Sequence, residues 1–269
     1  MTAAAPDADL SDRLAVVTGV CGRLGPVWTD ALLAAGAAVV GLDRAGAPDA
    51  RLREVLEVHG DKAFRFHTAD VTDRAGLERV LGACSRPPDV LVNNAGVDSP
   101  PSAAARGWEF RDVPVELSGT VLDVNALGTL LACQVFGSAM AARGGGSIVN
   151  IGSLYAGLAP DQRLYAHLPL DPPFLKPPAY GMSKAAVGAL TRYLAALWGG
   201  AGVRVNTLSP GGVLGDQDAE FVAKFSDRVP LRRMAVAADL RGPLLFLASP
   251  QSGYVTGTEL LVDGGYGCW

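Results

Sequence analysis

The sequence predicts an α/β fold, a doubly wound parallel sheet of about seven strands with helices on both faces. Three observations carry this. Short apolar runs alternate with helix-length stretches along the chain, the pattern of buried parallel strands joined by crossover helices. The 269 residues, 49% of them hydrophobic, suffice to bury such a sheet. No internal repeat is visible and no linker is long enough to divide domains, so residues 11–269 read as one domain behind a flexible, Ala- and Asp-rich tail at 1–10. Strands are expected near 14–18, 37–42, 63–68, 89–92, 146–151, 202–208 and 258–262.

The first run, Leu14-Ala15-Val16-Val17-Thr18, leads into Gly19-Val20-Cys21-Gly22-Arg23-Leu24-Gly25 and then a helical stretch from about Pro26 to Ala35. Strand, glycine-rich turn and helix in that order suggest a dinucleotide site. Glycines tighten the turn and let a pyrophosphate approach the backbone, where the helix N-terminus offers unpaired N–H groups. A bare βα connection would also use glycines. The next run, Ala37 to Leu42, ends in Asp43, 18 residues after Gly25. A carboxylate there is placed to accept from adenosine ribose hydroxyls and to repel a 2′-phosphate, which points to NAD, with NADP possible because Arg44 and Arg23 stand nearby.

Farther along, Tyr180 and Lys184 lie four apart in a stretch whose apolar spacing through Val187, Leu190, Leu194 and Leu197 is helical. That places both on one face. An ammonium close to a phenol favours the phenolate, so such a pair can exchange protons nearer neutral pH. The spacing alone is common in helices; its context gives it weight.

With these residues the chain resembles the short-chain dehydrogenase/reductase family, from about Arg13 to Gly265. The marks come in order: the glycine turn, Asp70-Val71, Asn93-Asn94-Ala95-Gly96, Asn125, Ser153, the Tyr180/Lys184 pair and Pro210-Gly211. The resemblance implies a Rossmann-type fold and a catalytic set of Asn125, Ser153, Tyr180 and Lys184. Tyr180 would exchange a proton with the reacting oxygen, Ser153 would bond that oxygen, Lys184 would hold the nicotinamide ribose and depress the Tyr180 pKa, and Asn125 would support a water-linked proton path. It further implies cofactor contacts from Thr18, Gly19, Gly22, Arg23, Leu24, Gly25, Asp43, Arg44, Asp70, Val71, Asn94, Ala95, Gly96, Tyr180, Lys184, Pro210, Gly211 and Val213. Two departures stand out. Arg23 occupies a place where the single-domain branch usually has glycine, which suggests an added charge contact to phosphate. Gly215 stands where a threonine is frequent.

Composition excludes other classes. A net charge of -4 without a long basic run argues against nucleic-acid or anionic-membrane partners. Cys21, Cys84, Cys133 and Cys268 have no metal-ligand spacing, and the three histidines are scattered, so no metal is expected. With no signal peptide and no apolar stretch of membrane-spanning length, a cytoplasmic location is expected. The region 119–142 is almost uncharged, so as a helix it must be buried or covered by a partner. In the family that helix and the Tyr180 helix pack on a second subunit, which implies a homo-oligomer, a dimer or tetramer. The apolar end, Tyr266 to Trp269, is expected to be buried.

The most individual segment separates Ser153 from Tyr180 by 27 residues, longer than the family commonly leaves, and holds six prolines between Ala159 and Pro178. Prolines stiffen such a loop and exclude it from sheets and helix interiors. Tied at both ends to catalytic residues, it should wall the substrate pocket, with Asp161, Gln162, Arg163, Tyr165 and His167 giving it polar and aromatic reach, and with Asp161, Gln162, Arg163 and His167, together with Asp98, as candidate substrate contacts. The resemblance thus implies an NAD(H)-dependent oxidoreductase interconverting a secondary alcohol and a ketone, and because the insertion resembles that of members linked to bacterial sugar or polyol modification, a polar, sugar- or polyol-like substrate is expected. A ketoreductase of specialised metabolism and a non-catalytic cofactor-binding regulator are the alternatives; the regulator would be expected to have lost part of the catalytic set.

Overall fold

The computed structural model describes residues 8–60, 63–98 and 107–269. Each predicted run forms a strand: β1 Leu14–Thr18, β2 Ala38–Asp43, β3 Phe64–Thr68, β4 Val90–Asn93, β5 Gly146–Ile151, β6 Val203–Pro210 and β7 Glu259–Val262. All neighbours pair in parallel, in the order β3-β2-β1-β4-β5-β6-β7. The helices are α1 Gly25–Ala34, α2 Ala50–His59, α3 Arg74–Ala83, α4 Val115–Arg143, α5 Pro178–Trp198, α6 Ala219–Arg228 and α7 Ala237–Ala248.

Side chains alternate across each strand, so one strand feeds two cores. In β1, Ala15 and Val17 join Trp28, Leu32 and Leu244 on the side of α1 and α7. Leu14 and Val16 join Leu77, Phe136, Met140 and Leu194 on the side of α3, α4 and α5. Buried polar groups are bonded in sequence beneath α5: Asn93 Nδ2 donates to Asn150 Oδ1 (2.8 Å), Asn150 Nδ2 to Thr191 Oγ1 (2.8 Å), and Thr191 meets Thr207 at 2.8 Å. The chain winds outward from β1 in one direction through β2 and β3 and in the other from β4 onward. The crevice beyond the carboxyl ends of β1 and β4 is therefore the place such a sheet offers a ligand.

Three expectations change. Residues 1–7 of the expected tail lie outside the described residues, but Leu10 is buried (1% exposed) and its N–H bonds Ala35 O at 2.8 Å. A helix long and apolar enough to cross a membrane by length and composition does exist: α4, 29 residues with mean hydropathy 1.4 over its most apolar window. Half of that window is buried within the fold, where Ala132, Cys133, Val135, Phe136 and Met140 join the second core. At the C-terminal end Tyr266 is buried, but Cys268 is exposed and Trp269 is 73% exposed.

Candidate active site

A cleft of about 1200 Å³ opens along the carboxyl ends of the strands. Its floor at β1 is the glycine turn. Gly19 has φ +68°, and a Cβ there would come within 2.7 Å of Ala95 Cα. A Cβ on Gly25 would lie 2.4 Å from the carbonyl oxygens of Gly19 and Val20. Both positions therefore require glycine, the first by conformation and the second by close approach. The turn is stitched to the segment after β4. Thr18 Oγ1 accepts from the N–H groups of Asn94 (3.0 Å) and Ala95 (2.9 Å), and Asn94 Nδ2 donates to the carbonyls of Thr18 (3.0 Å) and Gly19 (2.8 Å). Trp28 Nε1 orients the other end of the Asn94 amide at 2.7 Å.

Asp43, at the end of β2, is positioned by two backbone donors: Cys21 N–H to Oδ2 at 2.9 Å and Ala45 N–H to Oδ1 at 3.1 Å. Arg44 faces Asp70 at 3.9 Å and is largely exposed. Gly22, Leu24, Asp70, Val71, Gly96, Pro210, Gly211 and Val213 also line the cleft, whereas Thr18 and Gly25 shape the turn behind it. The lining thus joins a glycine cradle without Cβ atoms to a strand-end carboxylate, which fits the diphosphate and ribose of a dinucleotide.

Arg23 does something the sequence reading had not foreseen. Its guanidinium reaches across to Val213 O (2.9 Å) and Gln217 Oε1 (3.4 Å). A Cβ on Gly215 would lie 1.8 Å from that guanidinium. The two departures are therefore one feature: the arginine occupies the space a side chain at 215 would take.

The four expected catalytic residues converge at the other end. α4 makes a π-type turn at Asp123–Leu127, and this turn carries Asn125. Irregular turns of this kind often re-aim a functional side chain. Asn125 Oδ1 accepts from Val97 N–H (2.8 Å), and its Nδ2 donates to Val97 O (2.9 Å) and Ser183 Oγ (3.0 Å). It stands behind the cleft wall, while Ser153, Tyr180 and Lys184 line the cleft. Lys184 is buried, its ammonium donating to Ile151 O at 2.7 Å and lying 5.8 Å from the Tyr180 ring centre. Burial lowers the Lys184 pKa to about 8, with Asp98 opposing the shift.

The Tyr180 phenol moves the other way. Burial pushes its pKa up, Asp98 adds to the rise, and the hydrogen bond with Ser153 pulls it down. Desolvation and the Asp98 carboxylate thus oppose the expected depression, and the Ser153 hydrogen bond works toward it.

The insertion between Ser153 and α5 does wall the cleft, but apart from Tyr165 with other residues than expected. Tyr165, Leu168, Pro169, Leu170 and Lys176 line it, together with Tyr155 and, from α6, Phe221 and Phe225. The four residues proposed as substrate contacts hold the insertion in place instead. Asp161 accepts from Arg163 and from Arg228 of α6, and Gln162 Oε1 accepts from Lys176 N–H (3.0 Å). Arg163 points outward, with its side chain 85% exposed, and His167 meets Asp218 at 2.9 Å. Asp98 alone of the five lines the cleft. A third apolar cluster, with Leu154, Leu164, Tyr165, Phe174, Phe225 and Tyr266, lies beneath. Tyr165, expected to lend the insertion aromatic reach, does line the cleft; Tyr155 was missed because an aromatic residue in a loop reads as packing, and Lys176 because a lysine among prolines reads as solvated.

The comparisons agree with this geometry. Residues 13–167 match the family model described as short chain dehydrogenase, and residues 173–267 that described as enoyl-(acyl carrier protein) reductase. The chain is 35% identical to galactitol 2-dehydrogenase (L-tagatose-forming) of Cereibacter sphaeroides, covering 97% of each. Among solved structures it is similar to a short chain dehydrogenase of Leptospira borgpetersenii with bound NAD+ (TM-score 0.83, 32% identity, 96% of this chain and 94% of that one). It is also similar to a gluconate 5-dehydrogenase of Burkholderia cenocepacia in complex with NADP and tartrate (TM-score 0.82, 28% identity, 97% and 98%). Matches over nearly the whole chain, joined to a glycine cradle and a Ser–Tyr–Lys set on one cleft, leave a single assignment: the chain belongs to the short-chain dehydrogenase/reductase family and is an NAD(P)-dependent oxidoreductase.

Proposed function

We propose that the protein is an NAD-preferring dehydrogenase that interconverts a secondary alcohol and a ketone on polyhydroxylated, sugar- or polyol-like substrates. The observation that carries it is the convergence of Ser153, Tyr180 and Lys184 at the end of the cleft opposite Asp43. A nicotinamide cofactor bound along the glycine cradle supplies hydride exchange at the carbinol carbon. Tyr180 takes the proton of the reacting hydroxyl, or returns it in the reverse direction. Ser153 donates to the same oxygen and stabilises its developing charge. Lys184 offsets the phenolate through its positive charge, and Asn125 fixes the turn behind it. Asp43, already aligned by two backbone donors, favours ribose hydroxyls over a 2′-phosphate. The relative that acts on galactitol supports a polyol substrate.

The exposed Leu127 of α4 and the exposed Met182, Tyr193 and Leu197 of α5 support a homo-oligomer formed through these two helices. The test of the function is initial-rate kinetics with alditols and their ketoses, with NAD and NADP in parallel. Oxidation of an alditol with higher kcat/KM for NAD supports the reading. Absence of turnover across C4 to C6 alditols, or a preference for NADP, contradicts it.

A further inference from the structure

The bond from Arg23 to the segment after β6 spans the cofactor end of the cleft. The glycine turn follows β1 and Val213 follows β6. In the sheet β4 and β5 stand between those strands, which are about 14 Å apart at the usual strand spacing. A side chain that starts on the turn and ends on Val213 O at 2.9 Å therefore crosses the crevice beyond β1 and β4. Its far anchor is already set. Gln217 Oε1 accepts from Gly215 N–H at 2.7 Å and Gln217 Nε2 donates to Val213 O at 3.0 Å, so the segment's own backbone orients the amide that receives the guanidinium. Gly215, without a side chain, leaves the guanidinium its space.

Charge indicates what the bridge lies over. Among the described residues, Asp43, Asp70, Asp98, Asp216 and Asp218 all line the cleft, and an anionic diphosphate is repelled there unless a cation faces it. Of the cations on the same lining, Arg44 faces Asp70, Lys176 pairs with Asp98, and Lys184 stands beside Tyr180 at the reacting end. Arg23 differs from these. Among the described residues its bonds go to a carbonyl and a neutral amide, both from Nη2. Nε and Nη1 keep three N–H groups for a ligand, in the fork that matches phosphate oxygens.

We propose that Arg23 is a cofactor-binding strap: it donates to the diphosphate of the dinucleotide while anchored on Val213 and Gln217, so that the cofactor leaves only when the bridge opens. This holds whichever alcohol is oxidised. Exposed hydrogen bonds to neutral acceptors are individually weak, so without ligand the bridge opens readily. With a diphosphate against the guanidinium, opening also breaks charge-assisted bonds, and release slows. The strap thus acts on dissociation more than on encounter.

The test follows NADH fluorescence in stopped-flow mixing with wild type, Arg23→Gln, Gln217→Ala and the two combined. A lost hydrogen bond to a charged group corresponds to about 10- to 100-fold in affinity. Arg23→Gln should show that loss in the NADH dissociation constant, carried by faster dissociation, with the association rate changed far less. Gln217→Ala leaves the turn and the charge in place and removes one of two anchors, so dissociation should speed up to a smaller extent. The combined variant should match Arg23→Gln, because both changes act through one bridge. Competition against NADH separates contact from shape: Arg23→Gln should weaken ADP-ribose, which carries the diphosphate, as much as NADH, and leave adenosine unchanged. The strap is overturned if either single variant releases NADH no faster than wild type, or if the loss lies in association alone (Arg23 then only attracts the anion). It is equally overturned if the two changes add, or if adenosine weakens as much as ADP-ribose (Arg23 then only shapes the turn).

Discussion

The two ends of the cleft are built by different means. At the cofactor end, positions are set by backbone: glycines at fixed places in a turn, a carboxylate at a strand end, and Asn94 amide bonds to the carbonyls of Thr18 and Gly19. At the substrate end, an irregular insertion is fixed to α6 by side chains. Tyr165 packs on Phe174 (ring centres 4.9 Å apart) and on Phe221 (5.5 Å), and Asp161 pairs with Arg228. A backbone-built site tolerates little change in its glycines but much around them. A side-chain-built wall can be re-lined while the sheet stays the same. Substrate choice and cofactor binding should therefore respond separately to substitution.

The largest effect tests the seam between the two ends. Tyr180→Phe keeps the ring and removes the hydroxyl, so turnover should fall about 100-fold or more while NADH affinity, read by fluorescence titration, stays within error. Retained turnover would remove Tyr180 from the proton transfer. The next tests independence directly. Phe174→Ala, behind the wall and outside the cleft lining, should cost about 3 kcal/mol in denaturant unfolding and raise KM for the alcohol with unchanged NADH affinity. Equal loss of both affinities would show that the two ends are one unit.

Lys184 gives a pH test. Burial lowers its pKa from 10.5 to about 8. Between these values the unfolded chain binds more protons, so its burial destabilises the fold fully below about pH 8, and this penalty fades as pH rises toward 10.5. Lys184→Met should therefore be inactive yet more stable at pH 7 by on the order of 2 kcal/mol, with the gap closing above pH 8 in thermal melts. A gap that does not vary with pH would show that some other contact sets it. The smallest effect concerns Arg23. Gly215→Ala displaces only the end of a flexible side chain, so stability should change by about 0.5 kcal/mol or less. NADH dissociation should nonetheless speed up, and adding Arg23→Gly to Gly215→Ala should produce no further change.

The same division explains what the sequence revealed. The inner strands were legible because residues buried on both faces must be apolar in runs, the edge strands β3 and β7, which are only partly buried, from their place in the alternation, and the glycine turn because its backbone allows nothing else. Asp43 was legible from its place at the end of β2. The insertion was legible as a wall because its ends are tied to Ser153 and Tyr180. Its lining was not, since which side of a proline-rich loop faces the cleft depends on partners far away, such as Arg228 and Asp218. The direction of the Tyr180 shift was also hidden: pairing with Lys184 is written in the spacing, but the depth of burial is not.

The central strand has a consequence for how the molecule is made. β1 pairs on one side with β2, which follows closely, and on the other with β4, where Ala15 lies opposite Val90 across 75 positions of chain. Closing that separation costs loop entropy before any contact rewards it. A chain emerging from its N-terminus can make the glycine turn early, but Asn94 and Ala95, which fasten it, arrive only after β4. Until then one edge of β1 is unpaired and open to other strands. Affinity for the dinucleotide is thus a property of the joined strands, and a fragment that carries the glycine motif but stops before Val90 should not retain it.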